Sequence, residues 1–360
     1  MSIGEIITYI MLFFAVIAGI DRAFGSKLGL GKAFERGFES MGALILAMVG
    51  PMAAAPLIAK YLAPVLTPFF SSLGIDPSAP AGLLLPNDSG GWVLANALSK
   101  DELIGKFIGS TVAAIMGCTI TVSLPMCFML TQKEKRPLVA KGLTIGFITI
   151  PFGCFIGGLL FKIPLLSLIL NILPQIVFSL IFILGLKFCE KITIKAVTIF
   201  GYILTALVTL FLIAAMVIKV MGLNIPDMVS FDECITVIGS IAIFLCGAFA
   251  IISLIEKFFS KPLARFGKKI GLDEQSVLGL LTNLVNSLPM LEMTKKMNDR
   301  GVIVNLAFMV PAAYALGDHL AFQAAVDTAT VIPTLIGKLA AGILAIVLAL
   351  LLTKEKGEYK

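Results

Sequence analysis

Charge is scarce in this chain: only 14% of its 360 residues are Asp, Glu, Lys or Arg, against roughly 25% in an ordinary soluble domain. With 58% of residues apolar, there is too little polar surface to cover a water-soluble globule. Histidine occurs once, which argues against a His-built metal site. Six cysteines (Cys118, Cys127, Cys154, Cys189, Cys234, Cys246) form no C-x-x-C pair and mostly lie in or beside apolar runs. They read as small core hydrophobes, not as disulfides or metal ligands, and no cofactor is expected. The formal charge of +6 is not gathered into a basic domain. It is spread over short loops at 21–36, 133–141, 187–195 and 257–269. That is the pattern of cytoplasmic flanks under the positive-inside bias, not of a nucleic-acid surface.

What the chain has instead is long apolar runs. Eleven apolar or semi-apolar segments lie near 3–20, 40–62, 78–98, 104–130, 138–161, 165–187, 194–220, 234–258, 275–296, 302–325 and 328–353. Most approach the length of about 20 residues that a helix needs to cross a bilayer. The first follows Glu5 rather than a basic region and lacks a clear cleavage site, so it reads as a retained span. The fold class is therefore all-α: a polytopic protein in a lipid bilayer, with nine to eleven transmembrane segments.

Two segments are broken. Pro86-Asn87-Asp88-Ser89-Gly90-Gly91 interrupts the third, and Asn283 to Pro289, with Asn286 and Ser287, interrupts the ninth. Each flank is too short to span, and polar non-helical backbone at membrane depth is tolerated only inside protein or beside a wet cavity. The breaks also hold equivalent places in a weak internal repeat. A slide of 197 residues superposes Gly50 on Gly247, Leu57 on Leu254, Lys60 on Lys257, Asp76 on Asp273 and Gly82-Leu-Leu on Gly279-Leu-Leu. With small gaps, Gly117 falls on Gly317 and Gly153 on Gly337.

Topology follows from charge. If every segment spans, basic loops fall on both sides. If the two broken segments are re-entrant hairpins, near 77–99 and 273–297, all the basic loops and the tail at 354–360 share one face. Nine spans remain, and the hairpins enter from opposite sides. The repeats, 1–162 and 194–353, are then inverted around a linking span at 163–193, an arrangement common in secondary transporters.

Polar residues inside the bilayer are expensive, so they mark candidate site positions. The first tip offers Asn87, Asp88 and Ser89, followed by Trp92; the second offers Asn283 and Asn286. Thr119 follows Gly117-Cys118 in mid-span, and Asp318 and His319 follow Gly317, a glycine preceding the polar run in both cases. Other readings stand beside each. Asp318 could pair with Lys338 or His319. Asp88 could be a helix cap, Asn283 and Asn286 polar glue, and Trp92 part of the interfacial aromatic belt. Two carboxylates from opposite repeats suit a cation, and amides and hydroxyls beside them suit a short polar tail. An anion would call for buried Arg or Lys, of which mid-span segments hold almost none.

Over nearly its whole length the chain resembles the ethanolamine permeases encoded in bacterial ethanolamine-utilisation operons. The resemblance rests on Glu39-Ser-Met-Gly-Ala-Leu, Asp88-Ser-Gly-Gly, Met116-Gly-Cys-Thr-Ile, Pro151-Phe-Gly-Cys, Asn283-x-x-Asn-x-x-Pro-Met and, most specifically, Ala315-Leu-Gly-Asp-His-Leu. The family has a proline where this chain has Cys118, and longer loops around 24–36 and 223–233. The resemblance implies uptake of ethanolamine across the cytoplasmic (inner) membrane, feeding ammonia-lyase chemistry in a bacterial compartment. It assigns no binding residues. Homo-oligomer formation stays open. A carrier or channel for another small polar amine is the nearest alternative. An intramembrane enzyme is remote, because the paired catalytic aspartate motifs are missing.

Overall fold

The computed structural model describes residues 3–353; the basic tail with Lys354, Lys356 and Lys360 lies outside the described residues. Every regular element among them is helical. The helices α1 (Ile3–Ala23) and α2 (Gly31–Ser72) lead to the first broken segment, α3 (Ala79–Leu84) and α4 (Trp92–Leu98). Next, α5 (Glu102–Phe107) runs through wide π-type turns over Ile108–Gly117 and Thr119–Ser123 into α6 (Leu124–Leu130). Then come α7 (Arg136–Leu160), α8 (Leu165–Phe188), α9 (Glu190–Met221) and α10 (Phe231–Lys269). The second broken segment is α11 (Glu274–Val285) with α12 (Ser287–Met293), and α13 (Asp299–Ala312), α14 (Asp318–Val326) and α15 (Val331–Leu352) complete the chain.

Eight helical stretches are long and apolar enough to cross a membrane. The ninth expected span, 302–325, is not one helix but α13 and α14, of 14 and 9 residues. The cause is tertiary. Tyr314 N–H donates to the Asn283 carbonyl at 3.1 Å and Leu316 N–H to the Leu284 carbonyl at 2.7 Å. These bonds draw the backbone towards α11 and away from its own helix, with Tyr314 held at φ +60°, a left-handed conformation uncommon outside glycine. Conversely α2 extends well beyond 40–62, to 42 residues, despite Pro51, Pro56, Pro64 and Pro68. Neighbouring helices in a membrane bundle tolerate such prolines.

Both broken segments are clasped at their mouths by an aspartate. One oxygen of Asp76 accepts from Ser78 N–H and Oγ, and the other from Lys100 N–H at 3.1 Å. One oxygen of Asp273 accepts from Ser276 N–H and Oγ, and the other from Asn298 N–H. Each aspartate thus ties the start of its segment to the residue that follows its end.

Close helix pairs hold the rest. Helix α2 packs on α10 and α7 on α15, while α1 lies on α10 much as α9 lies on α2. A Cβ at Gly153 would meet the Gly337 carbonyl oxygen at 2.8 Å, and one at Gly337 would meet the Gly153 carbonyl oxygen at 2.7 Å. Two apolar clusters flank the site. Phe107, Ile115, Phe147 and Leu168 belong to one, and Met48, Ile241, Leu320 and Phe322 to the other.

Candidate functional site

The first break places its polar residues by turning at Gly90, whose φ of +93° only glycine adopts without cost. Pro86 is extended, and Ser89 is non-helical. Asn87 and Asp88 are thereby carried inward, 0% and 6% exposed. The break at 313–317 does the same for the other half: Gly317 ends it, and Asp318 and His319 open α14. A Cβ at Gly317 would overlap the Val285 carbonyl oxygen, and one at Gly117 the Leu85 carbonyl oxygen. Each glycine therefore lets the segment that follows press against the preceding break.

These elements converge. Asp88, Asp318 and His319 each offer a ligand atom within 4.8 Å of the others. Asn87 Nδ2 donates to the His319 carbonyl at 3.3 Å, and Ser89 Oγ to Asp88 Oδ1 at 3.1 Å. Asp318 Oδ1 accepts from His319 N–H at 3.0 Å. The Tyr314 ring centroid stands 5.2 Å from that of His319. Asn87 Oδ1 is buried and has no hydrogen-bond partner. A buried unpaired acceptor costs of order 1–3 kcal/mol unless something satisfies it, so it is a free receptor for a donor in the cluster.

Lys338 completes the group. It is 1% exposed; its Nζ donates to the Ala114 carbonyl and stands 3.1 Å from His319 Nδ1. Among the described residues it forms no ion pair with Asp318, so its partner is the imidazole and not the carboxylate. An ammonium has only donors, so Nδ1 accepts and the imidazole is neutral while Lys338 is charged. The three ligand atoms could surround one small cation, but a fixed ammonium on one of them opposes a divalent metal by simple Coulomb repulsion. The set suits a singly charged organic cation better.

Not every expected residue joins. Thr119 Oγ1 is occupied by the Ile115 and Val310 carbonyls, both at 2.7 Å, and ties the π-type turns to α13. Asn283 accepts from Ser287 Oγ and donates to the Asn305 carbonyl. Asn286 caps α12 through Leu288 N–H at 2.9 Å. Trp92 packs against the apolar cluster that contains Met48 and Phe322. The second tip thus supports the site without facing it. Tyr314 and Lys338 are the members absent from the candidate residues of the sequence, where Lys338 stands only as a possible partner of Asp318. The signal for Lys338 was present, a lone basic residue in a 22-residue apolar helix.

A largely buried cluster of two carboxylates, an imidazole and an ammonium, set at helix breaks within a bundle of apolar spans, points to a class: the solute carriers and channels of membranes. The family model described as "Ethanolamine utilisation protein, EutH" matches residues 3–352, and the chain belongs to that family. A relative from Listeria monocytogenes serotype 1/2a (strain 10403S), named probable ethanolamine permease EutH, is 41% identical over 96% of this chain and 93% of its own. One from Escherichia coli (strain K12), bearing the same name, is 38% identical over 99% and 97%. A Bacillus subtilis (strain 168) protein named uncharacterized protein YxeR is 36% identical over 96% and 94%. No solved structure matches the chain. With eight candidate spans and permease relatives, this is a multi-pass bacterial inner-membrane protein.

Proposed function

We propose that the protein takes up ethanolamine, as its protonated ammonium, and holds it between Asp88 and Asp318. The observation that carries this is the meeting of a buried carboxylate, Asp88, with a half-buried one, Asp318, brought from separate helix breaks, beside an unpartnered Asn87 Oδ1. An alkyl amine with a pKa near 10 is almost wholly charged at pH 7. Its ammonium hydrogens can bond both carboxylates and the Asn87 oxygen, and its hydroxyl can reach Ser89 or Tyr314. The relatives' permease names point to transport and away from catalysis. Radiolabelled ethanolamine should accumulate in proteoliposomes and be displaced by close amino alcohols, but not by glycerol or acidic amino acids. Equal inhibition by an anion of similar size would defeat the cation site. Imposed pH and Na⁺ gradients in the same vesicles identify the coupling ion.

The architecture that serves this uptake is read as two inverted repeats, 1–162 and 194–353, with re-entrant hairpins near 77–99 and 273–297 and a linker at 163–193. Several contacts support the reading. The equivalent aspartates Asp76 and Asp273 make equivalent clasps. A Cβ at Gly50 would overlap the Val208 carbonyl oxygen, and one at Gly247 the Met11 carbonyl oxygen; 11 and 208 are themselves 197 apart. The Gly153–Gly337 contact is its own mate, as at a two-fold axis. Charged ends also gather into two groups. Lys60 pairs with Asp227 at 2.6 Å, and Lys106 with Asp327 at 3.2 Å. Lys135 reaches the Thr294 and Met297 carbonyls, Lys257 that of Leu28, and Lys141 that of Leu352. Single cysteines at Ser71 and Gln132, both exposed, should label from opposite faces with an impermeant reagent, Ser71 from outside. Same-side labelling would discard the hairpins.

A further inference from the structure

Lys338 stands where a cation carrier has least reason to keep a positive charge. The cost of burying an ammonium is several kcal/mol, and among the described residues this one has no carboxylate in ion-pair contact to offset it. A methionine or leucine would fill the same space in α15 without that cost. Its two bonds, to the Ala114 carbonyl in the π-type turns and to His319 Nδ1 on α14, hold the ammonium against the imidazole. The imidazole that holds it offers a ring nitrogen within 4.8 Å of a carboxylate oxygen of both Asp88 and Asp318. The other titratable side chains facing it, Cys118 and Cys154, are mainly uncharged at pH 7, as is the nearby Tyr314. With His319 neutral and both carboxylates ionised around a bound ammonium, the protein side of the site contains two negative charges and one positive charge. One net negative charge is left for the substrate.

We propose that Lys338 sets the valence of the site: its fixed ammonium cancels one of the two carboxylates, so that singly charged amines bind and doubly charged amines of the same length are refused. This rests on the ethanolamine-uptake reading and deepens it. Specificity of this kind is a difference of affinities, and the lysine supplies the repulsive half of it. The two carboxylates can then place acceptors around one ammonium without attracting a diamine or a divalent ion.

The test compares two inhibitors of labelled ethanolamine uptake into proteoliposomes at pH 7. These are 3-amino-1-propanol, with one ammonium, and 1,3-diaminopropane, of matched length with two. Wild-type protein should be inhibited by the monoamine at a concentration at least about tenfold lower than by the diamine, the size of one charge-assisted contact. Lys338→Met should lower that ratio by at least about tenfold. Combining Lys338→Met with Asp88→Asn restores one net negative charge, so the monoamine preference should return. The double variant should also take up ethanolamine better than Asp88→Asn alone. A purely structural lysine would lower the yield of folded protein and leave the inhibitor ratio at its wild-type value, which would overturn the proposal. If Lys338→Met gives no folded protein, the wild-type ratio decides, and parity between the two amines overturns it. If wild-type vesicles take up no ethanolamine, the transport reading falls by itself. Stabilisation of the purified full-length protein against heat by the same two amines then reads the valence preference separately.

Discussion

On the proposed inverted repeat, the two halves of the molecule divide the chemistry unequally. Placing Gly117 on Gly317 also places Leu85 on Val285, and both glycines press against the carbonyl of that partner. In that register Asp88 corresponds to Leu288, Cys118 to Asp318 and Thr119 to His319; placing Gly153 on Gly337 sets Cys154 against Lys338. The first half puts its one charge at the hairpin tip. The second leaves its tip to amides and puts three ionisable groups on the helices that follow. On that reading a repeated frame encloses a single asymmetric site: positions under backbone contact are glycine in both halves, and the charged positions of the site differ between them.

The largest test of that comparison is steric. Gly117→Ala and Gly317→Ala each drive a Cβ into a backbone carbonyl that cannot swing aside, so both should abolish monodisperse protein by size-exclusion chromatography. Survival of one alone would show that only one half needs the close approach. Charge comes next. Asp318→Asn and Asp88→Asn keep shape and remove one charge-assisted bond each, and each should weaken apparent ethanolamine affinity by about 10- to 150-fold, or about 1.5–3 kcal/mol. Concentration-dependent uptake at matched expression reads this. Unchanged affinity in both would move the ammonium elsewhere, and loss in Asp318→Asn alone would reduce Asp88 to a structural residue. The clasps should be smaller and symmetrical: Asp76→Asn and Asp273→Asn should each cost about 1–2 kcal/mol of stability with little change in affinity. Thermal inactivation of the two variants in detergent compares them. Smallest of all, Trp92→Phe should change affinity by less than about threefold, because the ring packs in the apolar cluster and not over the carboxylates.

Much of this was legible in the residues. The apolar runs gave the helices, and the coincidence of two polar breaks with a weak repeat pointed to Asp88, Asp318 and His319, which do meet. What was hidden depended on tertiary contact. The segment 302–325 has the composition of a continuous span, and no local feature at Tyr314 announces a left-handed residue; hydrogen bonds to Asn283 and Leu284 impose it. The π-type turns over Ile108–Gly117 read as ordinary apolar helix, since the wider ring depends on which carbonyl each amide reaches. The amides at the second tip were visible, but whether an Asn side chain faces a cavity or ties down its neighbour depends on where Asn305 lies, 22 residues away from Asn283. Lys338 was seen as a partner for Asp318, and only the packing of α15 gave it to His319 instead.

The scarcity of imidazole groups has an experimental consequence. His319 is the sole histidine and its Nδ1 faces the Lys338 ammonium. A sample labelled with ¹⁵N in histidine alone therefore contains one imidazole, at the centre of the site, with no other resonance to resolve. A proton on Nε2 and a bare Nδ1 give two widely separated nitrogen shifts, and any amine that displaces the lysine must alter the second. The site carries its own spectroscopic reporter, which can be followed in a bilayer without a fluorophore, a crosslink or a substituted residue.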